Sequence, residues 1–189
     1  MLDAGYQNFT KVADIFITHC HADHVASLPL MILENINNKI VTNIYCPEAT
    51  LVRIRDMVEA FLRCNYDNDI IPKKYSNFIG MSSEYIIDKV LNKQSIKIKS
   101  FNSDHSVPTL SYGFIDVKKR LKEEYKGLNG PEIVKLKKQG IEITKKEEVK
   151  KLVFCGDTTV NIFRNPDILN FNNIVIECSF FEDDEIIMA

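Results

Sequence analysis

Three of the four histidines in this chain fall inside six residues, in the string Thr18-His19-Cys20-His21-Ala22-Asp23-His24. The string follows the apolar run Ile15-Phe16-Ile17, so the histidines begin where a buried strand ends. On extended backbone, side chains two apart point the same way. His19 and His21 are therefore expected to project together and grip one ion. Asp23 and His24 follow as the chain turns, where they can reach a second ion. Imidazoles and carboxylates without paired thiolates suit a catalytic divalent metal such as zinc better than a structural zinc finger. The plainer alternative is a polar loop with coincidental histidines, and so much crowding of a rare residue speaks against it.

Three more polar groups stand after apolar runs. The fourth histidine, His105, lies in Ser103-Asp104-His105-Ser106, Asp157 lies in Gly156-Asp157-Thr158, and Asp3 lies in Leu2-Asp3-Ala4-Gly5. All could gather at one edge of a sheet, and a carboxylate such as Asp157 has lone pairs enough to bridge two cations. The elements that must carry them read as follows. Strands are expected at 14–18, 40–45, 95–101, 110–117, 151–154 and 173–176. Helices are expected at 25–36, where Leu28, Met31, Ile32 and Ile36 keep helical spacing, and from Pro47 to about Arg63, with Leu51, Ile54, Val58 and Leu62 on one face. Residues 64–84, rich in turn formers, read as a loop. Residues 118–150 read as charged, weakly helical segments broken by Gly127, Gly130 and Gly140. The alternation of strands and helices gives an α/β or mixed α+β class.

Length and composition set the bounds. The 189 residues suit one domain spanning 1–189, and 45% hydrophobic with 26% charged residues allows a real core. A net charge of −2 gives no overall nucleic-acid signature. Five widely spaced cysteines, without a C-x-x-C, read as reduced thiols in an intracellular, cytoplasmic or nuclear setting. Cys20 alternates away from its histidine neighbours and is expected in the core, as is Cys155. No apolar run approaches the roughly 20 residues a membrane helix needs.

In this order, D-x-G, T-H-x-H-x-D-H, a single H and G-D-T resemble the metallo-β-lactamase superfamily. The resemblance implies an αββα sandwich with metals along one edge of its two sheets. It implies that His19, His21 and His105 hold one ion, that Asp23 and His24 hold a second, and that Asp157 bridges them. Within that superfamily the chain looks most like ribonuclease Z, the branch that trims tRNA 3′ ends. The stretch from Tyr112-Gly113-Phe114 through Gly140-Ile141-Glu142-Ile143-Thr144 carries this likeness, and Glu177-Cys178-Ser179-Phe180 resembles that branch's H-E-A-T-F motif with Ile176 in place of the histidine. Two departures stand out. The family places strands before the D-x-G segment and further histidines after the E-A-T segment, so the domain is expected to be incomplete at both ends. The long tRNA-gripping arm of some ribonucleases Z is not evident either.

The resemblance implies a metal-dependent hydrolase cutting a phosphodiester by a two-metal hydroxide mechanism, with precursor tRNA as the RNA partner. Zn²⁺ is the expected cofactor, as one or two ions, with Mn²⁺ or Mg²⁺ as alternatives. Asp23 would orient the attacking water or take its proton, and Glu177 would support a proton donor to the leaving oxygen. A surface carboxylate is an equal reading for Glu177. Basic residues between 118 and 151 could meet RNA phosphates, but interleaved glutamates favour a solvated charged surface. An unpaired sheet edge allows a homodimer. Two other readings compete: a thioester or cyclic-nucleotide hydrolase on the same fold, and a metal-binding fragment without activity.

Overall fold

The computed structural model describes residues 1–6, 11–67, 74–91 and 93–177. Its frame is two sheets packed face to face. The first has three parallel strands in the order β1 (Asp14–Phe16), β2 (Thr42–Pro47), β3 (Ser76–Met81), and Leu2 adds a parallel bridge to Phe16. The second has five strands in sequence order: β4 (Ile86–Leu91), β5 (Gln94–Ser103), β6 (Thr109–Leu121), β7 (Thr144–Phe154) and β8 (Asn173–Val175). Its first three pairings are antiparallel and β8 joins parallel.

Alternation along the strands sorts side chains between layers. The helices on this side are α1 (Ala22–Val25), α2 (Leu28–Asn37) and α3 (Leu51–Asn65), and in β1 and β2, Ile15, Ile44 and Cys46 face α2 and α3. The intervening Phe16 and Tyr45 face the other sheet and stack at 4.5 Å. Ile54, Val58 and Leu62, spaced by four, turn one face of α3 into that helix-side core. Met81, Ile98, Leu110 and Tyr112 complete the layer between the sheets. On the far face of the second sheet, Phe101, Ile115, Val153 and Cys155 pack under Ile162 and Ile168 from the short helical segments Val160–Arg164 and Pro166–Leu169, and under Phe171 just after them. The result is an α/β/β/α sandwich. Gly113 is required there, since a Cβ would stand 2.4 Å from Phe171 Cζ.

Three expectations need correcting. The segment read as a loop at 64–84 contains β3, whose Ser, Asn and Gly are held by parallel pairing to β2. β4 was not foreseen at all; it pairs along its whole length with β5. Residues 118–150 are helical only in their middle, at 123–125 and Gly130–Lys138; at their ends they are strand, since β6 runs on to Leu121 and β7 starts at Thr144. Charge pairs line the surface here, Arg120 with Glu147 between β6 and β7, and Lys97 of β5 with Glu148 of β7 across β6.

Candidate metal centre

The site forms where β1, β5 and β7 end and β6 begins. Two hydrogen bonds lock the sheets together at this edge: Leu110 N–H donates to Thr18 O (3.0 Å), and the buried Tyr112 hydroxyl donates to Ile17 O (2.7 Å). Gly156 lets the loop after β7 close onto them. Its φ is +61°, and a Cβ there would meet Thr18 Cγ2 at 2.9 Å.

His19 is the hub and is fully buried. The rings of His24, His21 and His105 surround it at centroid distances of 4.1, 4.6 and 4.8 Å. His21 Nδ1 faces His105 Nε2 at 3.2 Å. Asp157 closes the ring: its Oδ2 lies 3.8 Å from His19 Nε2 and 4.0 Å from His105 Nε2, and its Oδ1 lies 3.3 Å from His24 Nε2. Two sets of donor atoms each fall within 4.8 Å of one another, His19/His21/His105 and His19/His24/Asp157.

The hydrogen bonds around the ring dictate which nitrogens are bare. Thr18 Oγ1 donates to Asp3 Oδ2 (2.9 Å), so at 3.1 Å it accepts from His19 Nδ1–H and leaves His19 Nε2 as a lone pair aimed inward. His24 Nδ1–H donates to Asp3 Oδ2 (2.9 Å), which directs His24 Nε2 toward Asp157. Burial, then the charges of His24, His105 and His21, push the His19 imidazole down to about 4, so it is neutral at pH 7 and its lone pair could ligate a cation. The hydrogen bond to Asp3 raises His24 to about 9 in the metal-free chain. His19 Nε2 and Asp157 Oδ1 are buried polar atoms without a hydrogen bond. Orphans of this kind are costly unless something else satisfies them. A divalent cation would do so, and the nitrogen-rich donor set with one carboxylate fits such an ion.

No protein-family model matches the chain. Among solved structures, the metallo-β-lactamase fold protein YhfI from Bacillus subtilis superposes with a TM-score of 0.57 at 13% identity, covering 96% of this chain and 59% of that one. That likeness gives the fold. Among curated proteins, tRNase Z TRZ1 of Arabidopsis thaliana is 31% identical over 174 residues, covering 89% of this chain and 59% of the relative. Ribonuclease Z of Methanococcus maripaludis is 30% identical over 169 residues, covering 88% and 47%. The chain is thus similar in sequence to proteins named tRNase Z and ribonuclease Z. It spans roughly half the length of these curated relatives.

The fold brings His19, His21, His24, His105 and Asp157 into one cluster. Asp23 sits at its rim: Oδ2 lies 3.3 Å from His24 Nε2, but the side chain is 75% exposed and belongs to neither close donor set. Glu177 is exposed, and its N–H donates to Gly156 O at 3.4 Å, beside the Asp157 loop. The rest of the 177–180 resemblance, Cys178 to Phe180, lies outside the described residues. Cys20 is half-buried against the helix-side core, and Cys155 is fully buried. Among the described residues, no helix is long and apolar enough to cross a membrane.

Sequence reasoning missed the work of Asp3 and Thr18. Asp3 also accepts from Thr18 N–H (2.7 Å), so one carboxylate orients two histidines, one of them through Thr18. It adopts φ +51° to do so, and Gly5 behind it is compulsory, since a Cβ would fall 1.3 Å from Asp23 O. The D-x-G string marked this place; the role of its aspartate needed the fold.

Proposed function

We propose that this chain is a metal-dependent RNA phosphodiesterase of the ribonuclease Z type, acting on precursor tRNA to remove the 3′ trailer. The observation that carries the reading is the convergence of four imidazoles and Asp157 on the orphaned His19 Nε2, in a chain about 30% identical to proteins named tRNase Z and ribonuclease Z.

His19, His21 and His105 would hold one cation, and His24 with Asp157 would hold a second, flanked by Asp23. Zn²⁺ suits the donors best, with Mn²⁺ or Mg²⁺ as substitutes. When bound, such ions supply Lewis-acid charge for the phosphate and lower the pKa of water. The chain's own groups do the rest. Asp3 and Thr18 fix the imidazole tautomers, so no reorganisation is needed during the reaction. Asp23, at the rim and open to water, is placed to align the attacking water and accept its proton. Glu177, beside the Asp157 loop, would support proton delivery to the leaving 3′ oxygen. Whatever cations meet the RNA phosphates, binding would weaken as salt rises, because those contacts release counterions.

The test is gel analysis of a labelled tRNA carrying a 3′ trailer, with Zn²⁺, Mn²⁺ or Mg²⁺ added to chelator-treated protein. Metal-dependent loss of the trailer is expected. An intact trailer with rapid hydrolysis of a glutathione thioester would replace this reading with a thioesterase. Stoichiometric metal with turnover of neither substrate would make the chain a binding module.

A further inference from the structure

Beside the metal centre is a cleft that none of these roles uses. It is an open cleft of about 600 Å³, with His105 in its lining. The end of β2, the turn between β3 and β4, the end of β5 and the loop into β6 form its walls. Pro47, Met81 and Leu110 contribute buried apolar surface to its lining. Around them stand Glu48, Ser82, Ser83, Asn102 and Ser106, whose side chains make no hydrogen bond among the described residues. Among the described residues, no lysine or arginine lines it.

This chemistry selects its occupant. A phosphate would meet a carboxylate and no cation, so the cleft is no anion site. An apolar lining ringed by unspent donors and acceptors suits a flat, uncharged heteroaromatic ring. Glu48, an acceptor only, suits an amino group. Its stem is held against β3: a Cβ on Gly80 would come within 3.1 Å of Glu48 Cα, Cβ and Cγ.

We propose that this cleft receives a single nucleobase next to the scissile phosphate, one bearing an exocyclic amine that donates to Glu48. The inference rests on the RNA phosphodiesterase reading and extends it: the phosphate lies at the histidines, and the neighbouring base lies in the cleft.

The test separates binding from cleavage. Protein carrying ¹³C-methyl methionine is titrated with cytidine 5′-monophosphate, uridine 5′-monophosphate and ribose 5-phosphate, with the Met81 signal assigned through Met81→Leu. Cytidine monophosphate should shift the Met81 methyl and ribose phosphate should not. Uridine monophosphate should bind about tenfold more weakly, the usual consequence of losing a hydrogen bond to a charged acceptor. Glu48→Ala should erase that preference and Glu48→Gln should keep part of it. No Met81 shift, an equal shift from ribose phosphate, or a cytidine preference surviving in Glu48→Ala would each overturn the proposal. Base binding without trailer cleavage would sink the ribonuclease reading and leave the cleft a nucleobase site; cleavage without base binding would sink the cleft alone.

Discussion

Replacing Asp3 with asparagine should remove a specific, pH-dependent share of the stability of the metal-free protein. Asp3 is 11% exposed and its Oδ2 accepts from His24 Nδ1–H at 2.9 Å. This bond raises His24 from 6.5 to about 9. A group whose folded pKa is raised contributes stability that is complete below the unfolded value and lost as pH rises through the folded one. For His24 the window runs from about 6.5 to about 9. At 1.36 kcal/mol per unit, and allowing for relaxation of the partly open site, the share is roughly 2–3 kcal/mol. That is a large fraction of the ~5–15 kcal/mol typical of a domain. The assay is urea denaturation of chelator-treated protein at several pH values from 6 to 9.5. Wild type should lose more than Asp3→Asn across that range, with roughly 2–3 kcal/mol as the upper bound, because the amide cannot hold the imidazolium while Asp157 and Asp23 still favour it in the variant. Taking the difference cancels groups that titrate alike in both proteins. Parallel curves would refute the assignment of Asp3 as the group that holds His24.

Other consequences follow from the same geometry. His21→Ala should remove most bound metal, measured by elemental analysis after dialysis, because it deletes a donor from the His19/His21/His105 set; unchanged content would refute that set. Gly156→Ala should lower stability by about 1–3 kcal/mol through its positive φ and the press of a Cβ on Thr18, read as a fall in Tm. Asp23→Ala should cut trailer cleavage by about 10²-fold or more while leaving most RNA affinity, since general-base catalysis is worth that much and Asp23 acts on water; parallel losses in both would assign it to binding instead.

The chemistry of the site was legible because it is written locally. T-H-x-H-x-D-H needs only a strand followed by a turn, and both are there. The helices at 28–37 and 51–65 were equally plain, since each buries one stripe against one sheet. What could not be read was anything fixed by pairing. β3 is built from Ser, Asn, Phe, Ile, Gly and Met, and only its parallel register with β2 makes it a strand. The outer halves of β6 and β7 are lysine- and glutamate-rich, poor strand formers alone, yet they pair as far as Leu121 with Thr144. Even the helix between them carried an unread local mark: Asn129 and Glu132 form a reciprocal cap. The tether role of Asp3 lay in neither periodicity nor motif, because it depends on a backbone twist and on two partners 15 and 21 residues away.

The site edge is stitched from segments that are remote in the chain: His21 and His105, whose ring nitrogens face each other, are separated by 84 residues. Such a centre has no local precursor. A growing chain emerging from the ribosome would display His19 to His24 early, as loose single ligands, and could not hold an ion firmly until β7 had been made and docked. Loop closure over such spans is slow, and it must precede the reward. Any metal capture at this cluster would therefore come late in folding, after the two sheets have met. Its rate after dilution from denaturant should follow the closing of the two sheets on each other.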